Sequence, residues 1–214
     1  MTAFNPDCRL CPRLSTFLDE VKIENPGYFC RPVPPFGAAQ PRLLIVGLAP
    51  GLNGANRTGR PFTGDYAGVL LYSTLQQFGF STSGEPLDAS GWANPELNLI
   101  DARITNAVKC LPPANKPETS EVVTCNGYLA SELAGLPQGS VVLALGNVAH
   151  AAVLRAFKLK PKDYVFGHGV RHVLPNGRVL YDSYHCSRYN TQTRRLTEDM
   201  FHDVFRHIRN ELED

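Results

Sequence analysis

Residues 42–65 read R-L-L-I-V-G-L-A-P-G-L-N-G-A-N-R-T-G-R-P-F-T-G-D. After Arg42, residues 43–48 form a continuous apolar run ended by Gly and Pro. Such a run, without alternation, is what a strand buried on both faces of a parallel sheet requires. A loop rich in Gly and Asn follows through residue 65, and residues 67–78 (A-G-V-L-L-Y-S-T-L-Q-Q-F) have a helical pattern. The same alternation recurs downstream. Residues 101–108 read as a strand and 118–133 as a helix, then 140–145 as a strand and 147–157 as its helix. Residues 170–174 and 179–182 flank the Pro-Asn-Gly sequence at 175–177, a hairpin signal, and 196–212 form a terminal amphipathic helix. Residues 1–40 are irregular and proline-rich, with one short helix around 14–21. Strands alternating with helices predict an α/β fold, a three-layer α/β/α sandwich around a central, mainly parallel four-stranded sheet. One domain over residues 1–214 suits this length. In such sheets ligands bind beyond the carboxyl ends of the strands. The three unusual loops, at 49–65, 106–113 and 185–190, all leave strand ends, so the site is expected there.

Composition narrows the class. Hydrophobic residues make up 43% of the 214 residues, enough for a sizeable core and too much for a disordered chain. The longest apolar runs are far too short to span a bilayer, and residue 1 opens into a polar stretch without the pattern of a secretory signal. A soluble, cytoplasmic monomer is the expectation. The net charge is only +1, yet it is unevenly distributed. Residues 1–60 carry seven Lys/Arg against four Asp/Glu, residues 61–150 three against eight, and residues 151–214 eleven against eight. A fold that brings the two ends together presents a basic face without a basic overall balance.

Six cysteines stand at 8, 11, 30, 110, 125 and 186. In a chain without an export signal, clustered cysteines read better as metal ligands than as disulfides. Cys8-x-x-Cys11 is a chelating pair, and Cys110 and Cys125 are the other two at short separation. Four thiolates suit either structural zinc or an iron–sulfur cluster. His168-x-x-x-His172 is a weaker candidate metal pair, because one residue falls in a turn and the other in a strand.

The first loop lacks the Gly-Lys-Ser/Thr of a P-loop, and its glycines do not spell the dinucleotide fingerprint. Gly47, Gly51 and Gly54 let the backbone approach a ligand closely. Arg57 and Arg60 can meet phosphate, Phe62 offers a flat face and Asp65 a carboxylate. The third loop, S-Y-H-C-S-R-Y-N-T-Q-T-R-R-L-T from residue 183, holds one histidine, several hydroxyls and three arginines.

Taken together, G-L-A-P at 47–50 with N-R-T-G-R-P-F-T-G-D at 56–65, T-N-A-V-K-C at 105–110 and S-Y-H-C-S-R-Y-N-T-Q-T at 183–193 resemble the three motifs of the uracil-DNA glycosylase superfamily, in its type B (family 5) branch. The resemblance runs from about residue 8 to about residue 200. It implies a DNA repair enzyme that flips uracil, and other deaminated bases, out of DNA and hydrolyses the N-glycosidic bond. It also implies a structural [4Fe–4S] cluster on Cys8, Cys11, Cys110 and Cys125, with zinc as the alternative in the same thiolates. That cluster would tie down the N-terminal segment.

The chemistry of the matching residues fits this implication. Phe62 can stack on a flipped base, beside Gly47, Leu48 and Gly51. One Asn106 carboxamide can meet both uracil O4 and N3–H. His185 can donate to O2 as negative charge builds on the leaving base, and Asp65 can stabilise the sugar cation or position water. Other branches carry an acidic residue or Asn at the start of the first motif; this chain has Leu48, Ala49, Pro50 and Gly51, so the burden falls on Asp65. Arg188 and Tyr189 occupy the place of a wedge that holds the duplex open. Arg57, Arg60, Arg194 and Arg195 would contact phosphates. Arg194 stands where the family pattern leads one to expect Gly, and Cys186 where relatives outside the branch have Pro. Lys109 is the one lysine in the three loops, and its neighbours suggest structural use, which disfavours a Schiff-base lyase step. The alternative is a non-catalytic damaged-base sensor or a uracil-DNA cross-linking protein on the same fold. Cross-linkers carry a basic insertion ending in a reactive histidine between the first motif and its helix, and residues 57–65 contain no such histidine.

Overall fold

The computed structural model describes residues 3–175 and 177–213. Helix α1 (Pro12–Glu24) starts at a proline, which suits a first helical turn, and precedes the two-residue strand β1 (Phe36–Gly37). Strand β2 (Leu43–Gly47) is buried throughout, as its unbroken apolar run requires. Between it and helix α3 (Tyr66–Gln77) lies one short helical turn, α2 (Ala55–Thr58). The remaining elements are β3 (Ala102–Asn106), α4 (Thr119–Ala134), β4 (Val141–Leu145), α5 (Asn147–Ala156), β5 (Arg171–Val173), β6 (Val179–Ser183), α6 (Arg188–Gln192) and α7 (Glu198–Glu213).

The sheet order is β1-β3-β2-β4-β6-β5. Its four central strands are parallel, and the expected four-stranded sheet is their order β3-β2-β4-β6. Two antiparallel edge strands, β1 and β5, extend it to six. The residue between Pro175 and Gly177, in the anticipated hairpin turn, lies outside the described residues.

Alternate residues of β2 feed the two cores. Leu43 and Ile45 pack with Leu71 and Leu75 of α3 and with Phe201, Phe205 and Ile208 of α7. Leu44 and Val46 pack on the other face with Leu129 and Leu133 of α4 and Ala149, Ala152 and Val153 of α5. This is the three-layer arrangement read from the alternation. In α7 the buried Phe201, Val204, Phe205, Ile208 and Leu212 recur at the spacing of one helix face.

The N-terminal segment is fastened separately. Leu14, Val108, Cys125 and Tyr128 form a small core against Cys8, Cys11 and Cys110. Arg13, two residues past Cys11, donates from Nε and Nη2 to the Glu121 carboxylate at 2.8 and 2.7 Å. Glu121 also accepts from the Glu118 N–H in a capping box at the start of α4. One ion pair thus locks the helix after Cys11 onto the helix that carries Cys125.

Candidate active site

Parallel pairing of β2 with β3 sets Gly47 opposite Asn106 at the carboxyl end of the sheet. A side chain at residue 47 would begin 2.4 Å from Asn106 Oδ1 and 2.7 Å from the Phe62 ring, so only glycine lets these two groups close over the strand end. Phe62 has φ of 55°, a left-handed conformation that costs about 1–3 kcal/mol and clusters at ligand clamps. Its ring stacks against His185, with centroids 5.7 Å apart and planes 25° from parallel. His185 follows the end of β6. Phe62, Asn106 and His185 therefore come together from three strand ends, as the loop positions suggested.

They line a cavity of about 420 Å³ together with Leu48, Gly51 and Asp65. Asp65 caps α3, its Oδ1 accepting the Gly68 N–H at 3.3 Å. Gly54 leaves room for it, since a Cβ there would stand 2.5 Å from Asp65 Oδ2. Burial raises the Asp65 pKa, and the Gly68 and Ala67 N–H groups only partly oppose it. Burial alone drives His185 down to about 4, so its imidazole is neutral at pH 7. Asn106 is buried and its Oδ1 has no hydrogen-bond partner. An orphaned buried acceptor at a cavity wall is expensive unless a ligand meets it.

The arginines divide into two groups. Arg57 donates to the Asn53 and Gly91 carbonyls at 3.0 and 2.8 Å and lies over Trp92. Arg60 is half-buried, donates to the Asn94 carbonyl at 2.7 Å and lies over Phe36. Both pin the 91–94 turn against the first loop, a job that the sequence-based phosphate assignment did not foresee. Arg188 sits at the cavity mouth over Tyr66, Arg195 lies over Tyr184, and Tyr189 is 70% exposed. Arg194 has φ of 57°, which accounts for the glycine expected at that turn. Tyr66 and Asn115 also line the cavity and were missed. Tyr66 was within reach of sequence reasoning, as the first helical residue after Asp65; Asn115 gave no signal.

Lys109 is fully buried and its Nζ stands 2.6 Å from Glu132 Oε1, with Thr105 Oγ1 as a second partner. Both contacts hold its Nζ, and it lines the recess of Cys8, Cys11, Cys110 and Cys125 rather than the cavity of Phe62, Asn106 and His185. Cys30 and Cys186 are free and buried.

Cys8, Cys11, Cys110 and Cys125 line one apolar recess with Leu14, Val108 and Tyr128. Burial, reinforced by the charges of the other three, pushes Cys110 up to about 12. Cys125 is pushed up to about 11 by burial, although it accepts the Lys109 N–H at 3.3 Å. Four converging thiols with a backbone N–H aimed at sulfur suit a metal group that replaces their protons.

The two residues of the weaker metal pair go to different partners. His168 contacts the backbone of Tyr184 and Met200. His172 Nε2 lies 3.0 Å from Asp182 Oδ2, while His150 Nδ1 is 2.8 Å from Asp182 Oδ1 and its Nε2 is 2.9 Å from the Tyr164 carbonyl. His150, His172 and Asp182 are thus accounted for by hydrogen bonds.

Residues 34–209 match the family model described as the uracil DNA glycosylase superfamily. Among curated proteins, a type-5 uracil-DNA glycosylase of Thermus thermophilus is 45% identical, the match covering 92% of this chain and 90% of that one. Type-5 uracil-DNA glycosylases of Mycobacterium leprae (41% identical, 93% and 89% covered) and Pyrobaculum aerophilum (40%, 94% and 87%) are similar over the same extent. With its three motifs converging on one cavity, the chain belongs to the uracil-DNA glycosylase superfamily, in the type-5 branch.

Proposed function

We propose that this protein excises uracil from DNA as a monofunctional glycosylase, leaving an abasic site. The observation that carries this reading is the unpartnered Asn106 Oδ1, buried at the wall of a cavity that Phe62 also lines. A flipped uracil supplies what is lacking there: its N3–H meets Oδ1 and its O4 accepts from Nδ2, while its ring stacks on Phe62 for about 1–3 kcal/mol.

When the C1′–N1 bond breaks, its electron pair leaves with the base and C1′ becomes cationic. His185, neutral at pH 7, donates a hydrogen bond to O2 without giving up a proton, and so stabilises the departing anion. Asp65 faces the sugar side as a carboxylate, where it stabilises the cation and orients the water that adds to C1′. Arg188, Arg194 and Arg195 meet phosphates, and Tyr189 props the duplex open. Leu48 to Gly51 contribute no acid or base, which suits a pocket that also takes other deaminated bases.

The four thiols hold a structural [4Fe–4S] cluster in this reading. The cluster's chemistry here is structural, joining the residue 8–11 segment to α4. Protein purified without oxygen should be brown with about four iron atoms per chain; stoichiometric zinc without iron would overturn the assignment.

The test of the activity is an oligonucleotide carrying one uracil, opposite guanine, opposite adenine or unpaired, scored for alkali-labile product. Product from the uracil strands and none from the thymine control is expected. Tight retention of uracil-DNA without product would favour the sensor, and a covalent adduct the cross-linker.

A further inference from the structure

We propose that His168 is the positioning residue for His185: an unprotonated ring nitrogen accepts the Tyr184 N–H and thereby fixes the backbone that presents the catalytic imidazole. This rests on the excision reading above. A backbone N–H can only donate, so the contact from Tyr184 N to His168 Nδ1 at 3.2 Å requires that Nδ1 carry no proton. The ring's one hydrogen is then on Nε2, which lies 3.2 Å from the Met200 carbonyl on α7. Ser183 Oγ is 3.3 Å from Nδ1, with its hydroxyl donated to the Tyr184 carbonyl at 2.9 Å. His168 therefore bridges the exit of β6 and the first turn of α7 in a single tautomer.

The ring also stacks on Tyr184, with centroids 5.1 Å apart and planes 22° from parallel, and the Arg195 guanidinium lies 4.6 Å from the same tyrosine ring. Tyr184 is thus held by its amide and its ring, one residue before His185. Burial favours the neutral imidazole, against the Met200 carbonyl and the charge of Asp203 on α7. A second proton on Nδ1 would point at the Tyr184 N–H and break the clamp.

His168→Ala should slow single-turnover excision about 10- to 100-fold, the range expected when a reacting group is misplaced by up to an ångström, while binding to a non-cleavable uracil-DNA analogue changes little. His168→Asn places an amide oxygen where Nδ1 stood and should restore the rate to within a few-fold of the parent. Hydrogen exchange at the Tyr184 amide should be fast in the alanine variant and parent-like in the asparagine variant. Parental excision rates in His168→Ala would overturn the proposal. So would an asparagine variant as slow as the alanine one with its Tyr184 amide protected. If the alanine variant does not fold, the asparagine variant decides. A parent protein inactive on uracil-DNA would sink the activity reading, and amide exchange would still judge the clamp.

Discussion

Two groups of polar side chains sit at the same end of the sheet and are treated in opposite ways. In the base cavity, Asn106 Oδ1 has no partner and His185 is perturbed by burial alone. A few residues back along the same strand, Asp182 accepts from both His150 and His172, and the second nitrogen of His150 is met by the Tyr164 carbonyl. The paired set stabilises the fold; in the reading proposed above, the incompletely paired set waits for a ligand. Satisfaction of buried polar groups therefore separates function from structure here better than residue type does, since both sets contain histidine and a carboxylate or amide.

Exchanging Asp for Asn on each side should split rate from stability, with the largest effects of any single change. Asp65→Asn should lower the single-turnover excision rate by about 10²–10⁴, the usual worth of a general base or charge stabiliser. Its melting temperature should hold, because Asn caps a helix as well as Asp does. Asp182→Asn leaves a buried imidazole without its counter-charge, which costs about 3–5 kcal/mol of stability. The surviving folded molecules should excise at nearly the parental rate. Thermal melts and active-site-normalised rates on the two variants check this, and equal stability losses in both would erase the distinction.

The two groups were unequally legible in sequence. Phe62, Asp65, Asn106 and His185 lie in short local motifs beside strand ends, so their convergence on one cavity was visible. The unbroken run at 43–47 and the helical face of α7 were visible for the same reason, since periodicity is local. The paired set was hidden because its members come from α5, β5 and β6, and only tertiary packing brings His150 to Asp182. The structural partners of Arg57 and Arg60 were hidden for a related reason: the Gly91 and Asn94 carbonyls that engage them lie 34 residues away in sequence. The edge strand β1, two residues among prolines, carries no pattern at all. The helical turn α6 did leave a trace, Ser187, whose hydroxyl caps it by accepting the Asn190 N–H.

Asn106→Ala sharpens the contrast further. Excision of uracil should fall by about 10- to 100-fold, as expected when a bidentate contact worth about 1–3 kcal/mol is lost. Stability should stay level or rise, because the variant removes a buried acceptor that the free protein leaves unpaired. A large drop in melting temperature would place Asn106 among the structural groups. Asn106→Asp should weaken uracil excision and relax the bar against cytosine, since a carboxylate repels O4 but accepts from an exocyclic amine.

Tyr189 tests the exposed rim of the cavity, where neither pairing nor burial applies. Tyr189→Ala should reduce excision from duplex DNA about fivefold, near the lower end of what one base–aromatic stack contributes. On single strands, which have no stack to hold open, the loss should be smaller. Equal losses on both substrates would remove Tyr189 as the wedge and leave the pocket chemistry untouched.

The smallest expected effect separates the two histidines by pH. Burial pulls the His150 pKa down, but the Asp182 hydrogen bond and charge and the Tyr164 carbonyl outweigh it, and the net shift is upward. A folded-state pKa above the unfolded value of about 6.5 gives stability that is fully present below that value and is lost as pH rises through the folded one. The melting temperature should therefore decline by a few degrees on the alkaline side of about pH 6.5, at about 2–4 °C per kcal/mol for a chain of this size. His150→Gln should flatten the decline. His185, held near 4, is neutral across that whole window, so the single-turnover rate should not follow the melting curve. A rate that tracked the melting temperature from pH 6.5 upward would mean that the Asp182 set and the base cavity are coupled, and that the paired histidines serve catalysis as well as the fold.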